Sequence, residues 1–144
     1  MKSFLTTILT GVILLGVVSC SQRSSGVSSK AVASFADRSG LVIPANARAT
    51  DYRRYLAKDG QIHMRLEMPA GDLADFLKKS GLDGELNNTN RPGSATSYLG
   101  DFLPAHPKTF REGQKSLSDG ECLNVLVDED SPTTTIVYLQ WFGT

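Results

Sequence analysis

The sequence predicts an α+β domain in which one main helix packs on one face of a four-stranded antiparallel sheet, in the order β-β-α-loop-β-β. Apolar and polar residues alternate over residues 61–68, and apolar residues recur at helical spacing over residues 71–80. Two β-prone segments then close the chain at residues 122–128 and 134–142. A sheet with one apolar face and a helix with one apolar stripe bury those surfaces against each other.

Length and charge limit the class of protein. The chain has 144 residues, with 15 Lys and Arg against 15 Asp and Glu, two His and two Cys. This length favours one domain. A protein that neutralises nucleic-acid phosphates needs a clustered basic excess, so a net charge of zero argues against nucleic acid as a partner.

Residues 1–19 have the features of a signal peptide. Lys2 is the only charged residue before Arg23, and residues 4–18 form a mostly apolar run. A positive start followed by an apolar run of this length is typical of secretory signals. The run is shorter than the roughly 20 apolar residues that span a bilayer, so it predicts a cleaved signal and not a permanent anchor.

Residues 17–20, Val-Val-Ser-Cys, resemble the lipobox of bacterial lipoproteins. The resemblance covers residues 1–20 only and implies cleavage before Cys20, a diacylglyceryl group on its thiol and acylation of the new amino terminus, for example by palmitate. Two or more acyl chains hold a protein firmly on a membrane. It therefore implies a domain outside the cytoplasm, in the periplasm or elsewhere in the cell envelope. Ser21 is similar to the pattern exported to the outer membrane, and the inner membrane stays open. The alternative is an ordinary secretory signal with an incidental cysteine.

Residues 20–40 are rich in Ser and Gly, a composition typical of flexible coil. We predict a flexible tether over residues 20–40, which would hold the domain about 25 Å from the membrane. Within it, residues 31–35 are expected to form at most a short helical turn. The folded domain is predicted to occupy residues 41–144.

The first predicted elements of the domain are β-strands. Residues 41–43 are apolar and β-prone, and Pro44 limits them to a short or edge strand. Next, residues 49–57 and 61–68 flank a three-residue loop, 58–60, that ends in Gly. Such a loop suits a type I turn followed by a bulge, so these residues predict a β-hairpin.

The loop length predicts the register of that hairpin. Tyr52 is expected opposite Leu66, and Leu56 opposite Ile62. The same register places Arg54 on the apolar side of the sheet, whereas a two-residue loop would place Arg53 there.

A helix over residues 71–80 follows the hairpin. Leu73, Phe76 and Leu77 share one helical face, and Gly81 suits a left-handed C-terminal cap.

The second half of the domain is less patterned. Residues 83–119 contain many Gly, Pro and Asn residues and are predicted as a long loop with a short helix at 95–102. The final strands, 122–128 and 134–142, are rich in Val, Ile, Leu, Thr and aromatic residues, and an acidic turn at 128–132 joins them.

The sequence contains none of the common catalytic or metal-binding motifs, such as Gly-x-Ser-x-Gly, His-Glu-x-x-His and Cys-x-x-Cys. His63 and His106 are the candidate general bases. Cys122 lies in a predicted strand, which favours a packed thiol over a nucleophile, and acylated Cys20 leaves it no disulfide partner. Residues 128–130 lack the spacing of an EF-hand loop, which favours a solvated turn. We therefore expect no cofactor, no metal and no catalysis.

Polar side chains of the first hairpin form the candidate contact site for a partner or an anion. Its members are Tyr52, Arg53, Arg54, His63 and Arg65. Arginine offers a planar fork of donors that fits carboxylates and phosphates. The alternative is a solvated sheet face on which these cations pair with Asp51 and Glu67.

Together these features predict a lipid-anchored, non-enzymatic binding module of the bacterial cell envelope. Its expected partners are the membrane, through Cys20, and an envelope protein. One alternative is an inhibitor or immunity-type lipoprotein that acts on an envelope enzyme or toxin, with residues 83–119 as a protruding loop. A less favoured alternative is a small hydrolase with His63 or His106 as its base.

Overall fold

The fold is built on one antiparallel sheet, seen in a computed structural model that describes residues 26–56, 60–87, 99–105 and 107–143. The elements are α1 (Ser29–Ser39), β1 (Arg48–Tyr55), β2 (Gln61–Pro69), α2 (Leu73–Lys79), β3 (Leu86–Asn87), β4 (Phe110–Ser116), β5 (Cys122–Asp128) and β6 (Thr134–Phe142). The strand order is β1-β2-β6-β5-β4-β3, and every neighbouring pair is antiparallel.

The predicted class, α+β with an antiparallel sheet, is confirmed, but the predicted four strands and one main helix are wrong. Within the described residues, the sheet has five long strands and the two-residue β3, and there are two α-helices. The additional long strand, β4, lies inside the segment predicted as a loop. Phe110 is its only large apolar residue, so no apolar period marked it in the sequence.

Gly113 explains how β3 joins the sheet edge. Leu86 of β3 pairs with Gly113 of β4, and a side-chain carbon at Gly113 would overlap the carbonyl oxygen of Glu85. The close approach of the two backbones therefore requires glycine at this position.

Helix α1 corrects the predicted tether. The side chain of Ser28 caps its first turn by accepting a hydrogen bond from the Ala31 amide at 3.2 Å. Gly40, with φ of 66°, ends it in the left-handed conformation. Phe35 is 1% exposed and belongs to the main core. The packed domain therefore begins near Ser28, and the flexible segment predicted for residues 20–40 is wrong over its second half.

The strand predicted at residues 41–43 is not formed. Leu41 is buried in the core, and the Val42 amide donates to the hydroxyl of Ser80 at 3.0 Å instead of joining the sheet. These residues connect α1 to β1.

The β1–β2 hairpin is confirmed, but its register differs from the prediction by two residues. Tyr52 lies opposite Met64 and not Leu66. Pairing ends at Tyr55 with Gln61, so five residues connect the strands where three were predicted. A shift of two preserves the side on which each residue lies. The predicted turn at 58–60 falls largely outside the described residues.

Helix α2 and the last two strands agree with the sequence. A single 3₁₀ turn precedes α2, and Gly81 adopts the predicted left-handed conformation with φ of 64°. The Leu82 amide then bonds the Leu77 carbonyl at 2.8 Å, and both side chains are buried. Strands β5 and β6 have the predicted bounds, and the acidic turn connects them.

The two faces of the sheet differ. The face that we call the helical face packs against α1 and α2. Its core residues are Phe35, Leu41, Ile62, Met64, Leu66, Met68, Leu73, Phe76, Leu77, Leu82, Leu123, Val125, Val127, Val137, Leu139 and Trp141.

The opposite side, the second face, is partly covered by residues 99–103, which precede β4. A smaller cluster forms there from Leu99, Phe102, Leu103, Phe110, Leu126 and Tyr138. Of the helix predicted at 95–102, the structure describes residues 99–102, which contain the 3₁₀ turn Gly100–Phe102. Residues 95–98 lie outside the described part of the chain.

None of the helices in the described ranges is both long enough and apolar enough to cross a membrane.

Candidate functional site

The five candidate residues lie on different faces of the hairpin. Side chains alternate along a strand, and the register puts Arg53, His63 and Arg65 on the second face. Tyr52 and Arg54 lie on the helical face, opposite Met64 and Ile62 respectively. The five residues therefore do not form one site, and each has to be judged by its own contacts.

The side chains of Tyr52 and Arg65 make contacts within the domain. Tyr52 is half-buried and packs against the main core. Arg65 pairs with Glu67 at 3.1 Å, donates to the Thr50 hydroxyl at 3.2 Å, and lies 5.8 Å from the centre of the Tyr138 ring. The alternative given for the candidate site, cations paired with neighbouring carboxylates, therefore describes Arg65.

Arg53 is partly engaged. Its guanidinium lies 3.0 Å from the Asp51 carboxylate and 5.2 Å from the centre of the Phe102 ring. The hydrogen bond with Asp51, and after it that with Tyr55, raises the pKa of Arg53 above its ordinary value. Arg53 is exposed, so the cation remains available at the surface.

Arg54 has no charged partner among the described residues. It is exposed at the edge strand β1, and no ion pair or hydrogen bond joins its side chain to another residue of the described ranges.

His63 is only 4% exposed. Its ring centre lies 4.9 Å from that of Tyr55 and 5.2 Å from that of Phe102. Neither ring nitrogen has a hydrogen-bond partner in the described part of the chain. Burial and then the charge of Arg53 lower the pKa of His63 from its ordinary 6.5, while Asp51 opposes this. A neutral ring between two aromatic rings is packed like a core residue, without the orienting contact that a general base needs.

A row of amides next to His63 was not singled out from the sequence. Gln140 lies opposite His63, Asn124 opposite Gln140, and Gln114 opposite Asn124. Gln114 donates to Asn124, and Asn124 to Gln140, both at 2.8 Å. Asn124 and Gln140 are buried. The sequence signal for this row is one amide side chain in each of two mainly apolar strands, Asn124 in β5 and Gln140 in β6.

The end of the β1–β2 hairpin carries the most exposed apolar side chain of the described residues. Leu56 is 88% exposed and Tyr55 41%. We call this end of the hairpin, residues 53–56, the hairpin tip; its two cations lie on opposite faces, Arg53 on the second face and Arg54 on the helical face. Leu56 was expected to pair inside the hairpin; it is exposed because pairing ends one residue before it.

The acidic turn has a structural role. The Asp130 carboxylate accepts hydrogen bonds from the amides of Lys108 and Thr109, at 2.9 and 2.6 Å, which lower its pKa. Glu129 pairs with Arg111 at 2.8 Å. Within the ranges that the structure describes, no group of three potential ligands could hold a metal ion.

Cys122 is a free, half-buried thiol of β5, between Ser116 and Phe142 on the neighbouring strands. Cys20 and His106 lie outside the described residues.

No protein-family model, curated protein sequence or solved structure matches this chain.

Proposed function

We propose that this protein is a lipid-anchored, non-enzymatic component of the bacterial cell envelope that binds another protein through its hairpin tip. The anchor rests on the lipobox-like residues 17–20. The observation that carries the binding role is the exposed Leu56, which follows the exposed residues Arg53, Arg54 and Tyr55 at the end of β1.

The composition of the hairpin tip suits a protein partner. Burial of an exposed leucine side chain contributes about 1.5–3 kcal/mol, and tyrosine and arginine are enriched among the residues that dominate binding energies. Arg54 has its donor fork unpaired in the described residues and can meet a carboxylate. We therefore expect a partner with an apolar contact patch next to acidic side chains.

An inhibitor or immunity role would use the same surface against an enzyme or a toxin. The identity of the captured partner distinguishes it from a role in assembly.

The anchor is tested with the Cys20→Ala variant, which cannot carry the lipid. After cell lysis and sedimentation of membranes, we expect the unaltered protein in the membrane fraction and the variant outside it. Equal retention of both would contradict the lipid anchor.

The binding surface is tested by photo-crosslinking in intact cells. A benzophenone amino acid placed at Leu56 is expected to give a discrete adduct with a second protein, and one placed at Glu85, an exposed residue beside the opposite sheet edge, is not. Arg54→Glu should abolish the adduct, whereas Lys78→Glu, the same charge change on exposed α2, should not. The proposed surface would be contradicted if position 56 gave no adduct, or if the adduct formed equally well in the Arg54→Glu variant.

A further inference from the structure

The connection between the lipid site and the packed domain is short. Gly26, the first described residue, follows Cys20 by six positions. Six residues span at most about 20 Å, whatever their conformation. A domain of this size is about 35 Å across. Because the connection is shorter than the domain, the side on which Gly26 lies must stay close to the anchor.

An apolar groove lies on that side. It runs between α1 and the segment that enters β1, and has a volume of about 600 Å³. Its apolar lining consists of Val27, Val32, Ala33, Ala36, Ile43, Ala47 and Ala49, together with Gly26. Gly26 itself lines one end of the groove, so the chain that leads to Cys20 leaves from the groove.

The charges around the groove distinguish it from its neighbour. Arg48 lines the groove and lies 3.2 Å from Glu67, and α1 carries Lys30 and Arg38 against one acidic residue, Asp37. The adjacent cleft, between the 42–46 segment and α2, is lined by Asp72, Asp75 and Lys79, and Lys79 pairs with Asp75 at 3.0 Å. Phospholipid surfaces of bacteria carry anionic headgroups, so the α1 side fits such a surface better than the α2 side does.

The direction of β1 relates the groove to the hairpin tip. Arg48 at the groove begins β1, and Tyr55 at the hairpin tip ends it. Seven steps along a strand cover about 23 Å. The hairpin tip therefore lies well outside the groove, and a membrane in contact with the groove leaves the tip accessible to a partner.

We propose that the groove between α1 and residues 43–49 is a membrane-contact surface, which rests on phospholipid and leaves the hairpin tip accessible to a partner. This inference rests on the lipid anchor of the proposed function. Membrane contact accounts for the apolar lining, the flanking cations and the short connection to Cys20 together.

The test uses the full-length lipidated protein in vesicles of phosphatidylethanolamine and phosphatidylglycerol, with Cys122→Ser to remove the free thiol. A cysteine at Ala33, which lines the groove and is exposed, or at Glu85 as the control, carries a nitrobenzoxadiazole fluorophore. Lipids with a nitroxide on the headgroup then quench fluorophores that lie at the surface.

We expect quenching at position 33 to be several-fold greater than at position 85, in protein that floats with the vesicles. Flotation with equal quenching at both positions would overturn the membrane-contact surface and leave the anchor intact. A protein that does not float would overturn both, and the Cys20→Ala result shows separately whether the anchor is at fault.

Discussion

On its helical face the sheet buries mainly apolar side chains against two helices, whereas its second face buries amides, a histidine and a smaller apolar cluster. The stabilisation from burying apolar side chains is roughly proportional to the area removed from water, and it does not require partners in a particular geometry. A buried amide instead depends on one correctly placed partner. The helical face should therefore account for most of the stability, while the second face fixes how the strands align.

The comparison between the faces is tested most strongly in the main core. Phe76 of α2 is fully buried on the helical face. We expect Phe76→Ala to lower the free energy of unfolding by about 3–5 kcal/mol, through lost burial and the cavity left behind. Urea denaturation followed by circular dichroism measures the change.

Phe102→Ala is the matched change on the second face. Phe102 is equally buried but lies in a single 3₁₀ turn and the smaller cluster, so its surroundings can adjust or open locally. We expect a clearly smaller loss than for Phe76→Ala. Equal losses would mean that the two faces contribute alike.

The amide row is the next test. In Asn124→Leu, Gln114 and Gln140 each lose the hydrogen bond that Asn124 makes with them. We expect a loss of about 1–3 kcal/mol in the free energy of unfolding. The triple change of Gln114, Asn124 and Gln140 to leucine removes both partners of each bond and should recover part of it. A triple variant less stable than Asn124→Leu would show that the row does not act as a unit.

The helical face could be predicted because its strands and α2 show the 2.0 and 3.6 periods of apolar residues. The segments that were missed lack those periods. Helix α1 buries Phe35 and Ser39 within a Ser-rich segment, and β4 has Phe110 as its one large apolar residue. Their structure depends on contacts from distant parts of the chain, such as the approach of Glu85 to Gly113.

For the candidate site, the sequence predicted which residues lie on the hairpin but not which contacts they make. The sequence shows that the hairpin carries Arg53, Arg54 and Arg65. Which of these arginines forms contacts within the fold depends on the strand register. Arg65 lies where it can reach both Glu67 and Thr50, and Arg54 does not. Leu56 became part of the hairpin tip because the connection has five residues, a length that the single Gly60 did not determine.

His63 is expected to make the stability of the second face depend on pH. Burial and the Arg53 charge lower its pKa in the folded protein, so the unfolded chain binds the proton more readily. Stability should therefore be fully present above about pH 6.5 and fall as the pH drops from there through the lowered pKa of the folded state. Unfolding free energies at a series of pH values measure this.

The His63→Phe variant is the control for that pH dependence, because a phenyl ring can occupy the same aromatic surroundings without titrating. We expect its stability to change less between pH 7 and 5 than that of the unaltered protein. The effect of Asp130, whose pKa lies below its ordinary 3.8, occurs at lower pH and does not overlap. Identical pH profiles would exclude His63 as their source.

The smallest expected effect separates the two arginines that were predicted together. Arg65→Ala removes the Glu67 pair and the Thr50 hydrogen bond, and should lower the free energy of unfolding by about 1 kcal/mol. Arg54→Ala should change it by less than about 0.5 kcal/mol, since an exposed side chain without a partner in the described residues contributes little.

In the crosslinking assay the order should reverse: Arg54→Ala weakens the adduct from position 56, and Arg65→Ala leaves it in place. Arg65→Ala is thus expected to lose stability and Arg54→Ala to lose the crosslink. Both measurements are needed on both variants to separate the two roles. If Arg65→Ala also removed the adduct while the protein stayed folded, the binding surface would extend along the second face from the hairpin tip to Arg65.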